Sequence, residues 1–191
     1  MLLGLAGLVA LAIVVVVAAK ALDDNKQITV AGPPQFNLVY DKTLLHQVTP
    51  RPGELVRLEG GRPHVRVALT ARRFTAPAYG SGDIIGGYLP VLGEQREAQL
   101  RTQYGPIEVY DEGKARFGEH TGFQIGFSAK TPSGPMLGRD AYVLPAETGA
   151  REGVLLSLRR YLHGHQTAAD QDYFKNVKLA YGSFNFGADR P

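Results

Sequence analysis

Two regimes of hydrophobic patterning meet near residue 20. Met1 to Ala19 contain no charged side chain, and Leu2 to Ala19 form one aliphatic block broken only by Gly4 and Gly7. Leucine, valine and isoleucine occupy the whole circumference of a helix drawn through this block, so it has no polar face and suits the core of a soluble domain poorly. At about 1.5 Å of rise per residue, such a helix spans roughly the hydrocarbon core of a thin bilayer, which predicts a single-pass transmembrane anchor over residues 1–20. The alternative is a cleaved secretory signal, since Ala19-Lys20-Ala21 has the small-x-small form of a cleavage site. The segment lacks a basic start, however, and its apolar run exceeds the usual length of roughly 7 to 15 residues.

After the block the period changes. Residues 21–35 read as a tether, polar at first and then stopped by Gly32-Pro33-Pro34, so a folded domain is expected over residues 36–187 with a short tail at 188–191. Phe36 to Tyr40 and Leu55 to Leu58 are expected strands separated by the turn Pro50-Arg51-Pro52-Gly53. In His64 to Thr70, Val65, Val67 and Leu69 share one face while His64, Arg66 and Thr70 share the other, the signature of a strand with one wet face. A glycine-rich connection, Tyr79 to Gly87, leads to Pro90, where Leu92, Arg96, Leu100 and Tyr104 follow at helical spacing until Gly105-Pro106 ends the run.

From Ile107 the period returns to two. Ile107 to Tyr110 and Lys114 to Gly118 flank Asp111-Glu112-Gly113, which reads as a tight turn. Strands follow from Phe123 to Lys130, Ala141 to Leu144 and Val154 to Arg159, giving an antiparallel meander with one buried face. Thr167-Ala168-Ala169-Asp170 resembles a capping box, and Ala169, Tyr173, Phe174, Val177 and Tyr181 form the apolar stripe of a last helix that stops at Gly182. The class is α+β, with helices segregated to one side of the strands.

Composition narrows what the domain does. About 170 residues follow the apolar block, enough for one domain with a real core. The 21 basic and 18 acidic side chains leave a formal net charge of +3, which lacks the clustered cations of a nucleic-acid binder. With no cysteine, the chain has no disulfide-linked partner, thiol nucleophile, iron–sulfur cluster or lipoprotein attachment site. Packing therefore rests on aliphatic residues with eight Phe and nine Tyr.

The opening strand Phe36 to Tyr40, the glycine-bearing connection into one helix, the meander from Ile107 to Arg159 and the final helix running into Ser183-Phe184-Asn185-Phe186 together resemble the PsbP-like family. That family is an α/β/α sandwich with a central antiparallel sheet, named for an extrinsic photosystem subunit and shared by bacterial envelope lipoproteins. Two departures stand out. Leu44-Leu45 lies where a Trp often follows the first strand, and the apolar helix stands in for the lipidated cysteine. The resemblance implies a non-enzymatic binding or assembly factor outside the cytoplasmic membrane, with no cofactor.

Candidate chemistry is sparse. Gly80-Ser81-Gly82-Asp83-Ile84-Ile85-Gly86 lies where a dinucleotide loop would, but Ile85 occupies the place of its third glycine. His163 and His165, with Asp170 and Asp172 downstream, are candidate metal ligands that lack a third donor at defined spacing. His46, His64 and His120 lie apart on polar positions. The basic pairs Arg72-Arg73 and Arg159-Arg160, with Tyr161, form a candidate binding patch whose plainer reading is the polar rim of a sheet.

Three functions remain: a non-catalytic domain held to the membrane by residues 1–20 that binds a protein or envelope component, an envelope hydrolase or metal-dependent enzyme built on His163 and His165, and a carrier of lipid or solute between sheet and helix. Flanking charge is nearly balanced, since Lys20 and Lys26 are offset by Asp23 and Asp24, so orientation rests on the family resemblance. A C-terminal alkaline phosphatase fusion should be active and a fluorescent-protein fusion dark. The reverse result would put the domain in the cytoplasm.

Overall fold

The computed structural model describes residues 24–78, 87–146 and 149–187. The expected anchor at residues 1–20 lies outside the described residues, as do residues 79–86 of the glycine-rich connection. Among the described residues no helix is long and apolar enough to cross a membrane.

Seven antiparallel strands form the central sheet. In spatial order they are β3 (His46–Gln47), β4 (Val56–Arg62), β5 (Val65–Thr75), β9 (Glu152–Leu162), β8 (Gly134–Val143), β7 (His120–Thr131) and β6 (Ile107–Phe117). β6 to β9 are the expected meander, and β5 docks against its last strand from Val65↔Leu162 to Thr75↔Glu152. A second sheet of three strands orders β1 (Asn25–Val30), β2 (Phe36–Asp41) and β10 (Asn185–Phe186).

The helices lie on opposite faces of the central sheet, not on one side as the strand-and-helix pattern suggested. α1 (Tyr88–Tyr104) places Leu89 and Leu92 on Phe123, Ile125, Tyr142 and Leu155, and Leu100 on Phe127 and Met136. α2 (Ala168–Gly182) places Tyr173, Val177, Ala180 and Tyr181, with Phe184 beyond its end, on Leu58, Val67, Leu69, Val143, Leu156 and Leu158. These strand positions alternate with those under α1, as a period of two requires. The small sheet joins the α2 layer through Phe36, Leu38 and Tyr40. An α/β/α sandwich results, in which residues spaced by one serve two separate cores.

Local chemistry explains the helix ends. The Thr167 hydroxyl accepts from the Asp170 backbone N–H at 3.2 Å, and the Asp170 carboxylate accepts from the Thr167 backbone N–H at 2.9 Å, completing the expected capping box. Gly105, with φ of 78°, donates its N–H to Arg101 O at 2.9 Å and ends α1 where the sequence said it would. Close packing of α1 needs Gly93, since a Cβ there would lie 2.6 Å from the Phe123 ring.

Two expectations fail for identifiable reasons. Residues 25–30 are not tether: β1 pairs with β2 from Asn25↔Asp41 to Val30↔Phe36, and Ile28 and Val30 pack against the core. The alternation Ile28-Thr29-Val30 is too short to stand out beside Gly32-Pro33-Pro34. Nor does the chain turn at Asp111-Glu112-Gly113. β6 continues through it and absorbs a register shift between Val109 and Asp111. That bulge exchanges the faces, so Ile107 and Val109 point into the α1 core while Ala115 and Phe117 point into the α2 core. Reversal comes later, at Gly118 with φ of 57°.

Removing residues 1–24 should leave a cooperatively folding domain, whereas removing residues 1–34 strips β1 from β2. The longer deletion should cost about 2 kcal/mol or more from exposure near Ile28 and Val30, measured by urea denaturation. Equal stability of the two truncations would show that β1 adds nothing to the fold.

Candidate functional site

α1 packs on β6, β7 and β8, meets Leu155 of β9 and Phe74 of β5 in the same cluster, and leaves the same face of β4 and the rest of β5 and β9 uncovered. Positions on that face differ in kind from their neighbours: Arg57 and Glu59 alternate with Val56 and Leu58, Ala68 and Thr70 with Val67 and Leu69, and Ser157 and Arg159 with Leu156 and Leu158. Because Thr70 pairs with both Arg57 and Ser157, and Ala68 with both Glu59 and Arg159, these residues meet in rows across the three strands. Small side chains make the floor and arginines the walls. The resulting cavity of about 150 Å³ is lined by Arg51, Arg57, Arg72, Arg96 and Arg159, with Glu54 its one lining carboxylate. A cavity of about 130 Å³ adjoins it, sharing Arg51, Arg57, Ala68 and Tyr161 and reaching Arg66, Ser133 and His163.

A buried ion cluster sets one wall. Asp140, 0 % exposed, accepts from Arg159 Nη2 at 3.0 Å and Nη1 at 2.5 Å, and from Arg96 Nε at 2.7 Å. Arg96 thereby pins α1 to β8. Burial pushes the Asp140 carboxyl up, but the charges and hydrogen bonds of Arg159 and Arg96 outweigh it and hold the pKa below its ordinary 3.8. Burial likewise works to neutralise Arg159, and Asp140 overrides it, so both groups stay charged.

Arg159 also lies 4.9 Å above the Phe127 ring centroid. Phe127 can reach across the sheet only because its cross-strand neighbour is Gly138, where a Cβ would stand 2.3 Å from the ring. One carboxylate, one ring and one glycine therefore fix the guanidinium.

The other wall uses the same device. Glu54, whose side chain is 2 % exposed, bridges Arg57 at 3.1 Å and Arg72 at 3.2 Å and accepts the Arg51 backbone N–H at 2.9 Å. Burial acts to raise its pKa, and these partners bring it below the usual carboxylate value. Arg57 is held from its other side by Glu59.

The candidate patch of Arg72, Arg73, Arg159, Arg160 and Tyr161 is divided by strand alternation. Arg72, Arg159 and Tyr161 line the groove. Arg73 and Arg160 belong to the opposite face, where Arg160 lies 4.5 Å over the Phe174 ring of α2. Arg159 is no surface rim. It is 7 % exposed and sits in the middle of β9 because Asp140 supplies a partner for it there.

His163 lines the adjoining cavity with its Nδ1 3.1 Å from Ser133 O, and His165 is exposed. The carboxylates suggested for a metal are otherwise engaged, Asp170 in the helix cap and Asp172 with Lys175. Among the described residues no three metal-binding side chains of His, Cys, Asp or Glu come together. His64 faces His163 O at 3.2 Å, His120 lies 2.8 Å from Asn185 Oδ1, and His46 is exposed on β3. A more apolar cavity of about 80 Å³ lies against α2, lined by Leu137, Leu158, Phe174 and Lys178 among others, and is smaller than either part of the groove. The dinucleotide-like loop falls mainly in residues 79–86, outside the described residues.

Sequence reading missed Arg51, Glu54, Arg57, Arg96 and Asp140, and it missed Thr70 and Ser157 as groove floor. The available signal was the run of small or charged residues at every second position of β4, β5 and β9, opposite aliphatic ones.

No family model and no curated protein matches the sequence. Solved structures do. LpqN of Mycobacterium tuberculosis, described as involved in cell envelope biogenesis, superposes with a TM-score of 0.52 at 13% identity, over 87% of this chain and 92% of that one. Cyanobacterial PsbP of Synechocystis superposes with a TM-score of 0.52 at 11% identity, over 86% and 93%. A protein of Bacteroides thetaiotaomicron gives 0.50 at 10% identity over 87% of this chain and 50% of its own. The fold is PsbP-like, as the sequence resemblance implied.

The ion cluster carries a stability prediction. Asp140→Ala strands two guanidiniums and should cost about 3 to 5 kcal/mol. Combining it with Arg159→Met should cost less than Asp140→Ala alone, since only Arg96, whose side chain is 12 % exposed, is then left without its carboxylate. Urea denaturation of both variants checks this, and a double variant that is weaker than the single one would contradict it. Because the folded pKa of Asp140 is depressed, its contribution is complete above the unfolded value near 3.8 and is lost as pH falls through the folded value.

Proposed function

We propose that this protein is a membrane-anchored, non-catalytic binding domain of the cell envelope, with its globular part outside the cytoplasmic membrane, and that it recognises a protein or envelope component through the open half of its sheet. The observation that carries this reading is the groove itself: five arginines against one lining carboxylate, on a face that α1 stops short of covering. A rim of isolated charges has no such organisation. Here two nearly buried carboxylates, Glu54 and Asp140, each hold two guanidiniums in place, which spends folding free energy on keeping cations at an open surface.

The fold's neighbours support the setting. LpqN, described as involved in cell envelope biogenesis, and cyanobacterial PsbP both superpose on this chain, while the apolar segment 1–20, uncharged up to Ala19, supports attachment to a membrane. The chain enters the domain at β1, in the layer across the central sheet from the groove. This layering supports a partner that approaches from the aqueous side.

Photo-crosslinking in intact cells tests the reading. A photoreactive residue at position 51 or 66, on the groove, should yield a discrete adduct that the same residue at position 175, on the exposed side of α2, does not. Adducts of equal yield from both faces, or none from the groove, would contradict it.

A further inference from the structure

We propose that the groove is a binding site for a phosphomonoester group. The inference rests on the reading of this groove as the recognition surface and adds the chemistry of what it takes. Three observations converge on a dianionic oxyanion.

First, the positive charge is not spent internally. Asp140 is shared by Arg96 and Arg159, Glu54 by Arg57 and Arg72, Glu59 also pairs with Arg57, and among the described residues Arg51 has no ion pair for its guanidinium, so five arginines face three carboxylates. The surplus exceeds one charge, which suits a phosphoryl dianion better than a carboxylate. Second, donors stay free on the cavity side. Arg72 uses only Nη2 and Arg96 only Nε and Nη1, so each keeps N–H groups for a ligand. Guanidinium forks of this kind match phosphoryl oxygens, whether one Arg donates twice or two donate once.

Third, the floor offers hydroxyls with no other task. Thr70 and Ser157 are cross-strand partners that are 8 % and 6 % exposed, and neither side chain makes a hydrogen bond to the described residues. Both hydroxyls stay open to the cavity, where they can donate to water or to a ligand. A phosphoryl oxygen resting on the floor would accept from both while its other oxygens meet the arginine walls. The cavity of about 150 Å³ admits the phosphoryl group and a few attached atoms, and the adjoining space of about 130 Å³ beside Tyr161 receives the remainder of the ester.

The source of the ester is either a soluble molecule or a lipid headgroup, and titration of the full chain in detergent or lipid discs separates them. Calorimetry with glycerol 3-phosphate, at constant ionic strength and against glycerol and acetate, should show saturable binding at one site. Discs containing phosphatidic acid, compared with discs of neutral lipid, probe the lipid source. Binding of either probe supports the site and names its source. Arg72→Gln and the pair Thr70→Val with Ser157→Ala should each weaken binding at least tenfold, while Lys175→Gln, an equal charge change on α2, should leave it unaltered. If the double variant fails to fold, Arg72→Gln, at an exposed position, carries the test alone.

Absence of saturable binding to both probes would overturn the proposal, as would equal weakening by Lys175→Gln, the mark of unspecific attraction. Groove-specific crosslinks without phosphomonoester binding would overturn this inference and leave the binding-domain reading standing.

Discussion

A carboxylate buried at the centre of a seven-stranded sheet constrains everything around it. Asp140 has no access to water, so it must be either neutral or fully paired, and two arginines keep it paired. Taking three charged groups out of water is costly, and apolar residues of similar size often serve stability as well or better. What the cluster supplies is position. Arg159 is fixed over Phe127, Phe127 lies across Gly138, and Arg96 ties α1 to the strand beneath it. The edge of α1, and hence the edge of the groove, follows from that tie.

The remaining architecture serves the division of one sheet between two environments. On the α2 side, aliphatic and aromatic residues from β4, β5, β8 and β9 form one continuous core. On the α1 side the sheet changes character partway across, with Phe123, Ile125 and Tyr142 under the helix and Ala68, Thr70 and Ser157 beyond it. Covering a sheet completely on one face and half on the other gives a rigid scaffold with an open polar surface. Loops contribute little to this surface apart from the segment bearing Arg51 and Glu54, so its arginines stand on strands and a helix that the core holds still.

The fold was legible in the sequence wherever a period persisted. Val65 to Thr70 and Phe123 to Lys130 alternate over many residues, Thr167 and Asp170 mark a helix start, and Phe184, in the segment that follows the last helix, is 1 % exposed. Short or interrupted patterns misled: Ile28 and Val30 offer one cycle of alternation, and the bulge after Val109 reverses the faces of β6 in mid-strand. The site was half legible for a similar reason. Arg72, Arg159 and Tyr161 were singled out as cations and an aromatic near strand ends, and alternation already separates them from Arg73 and Arg160. Asp140 could not be matched to Arg159 or to Arg96 without the strand order and the place of α1, because those pairings join residues distant in sequence.

The central claim is that Asp140 holds Arg96 and Arg159 as fixed cations at the groove wall, and side-chain NMR of the arginine guanidinium groups tests it most directly. With two bonds from Arg159 to Asp140 and one from each of Nε and Nη1 of Arg96, rotation about their Cζ–N bonds should be slow, giving separate Nη signals near neutral pH at room temperature. Arg51 and Arg66, with no ion pair among the described residues, should show averaged signals. Averaged signals for Arg159 as well would mean that the carboxylate does not fix it, and the groove would lose the wall on which its proposed chemistry depends.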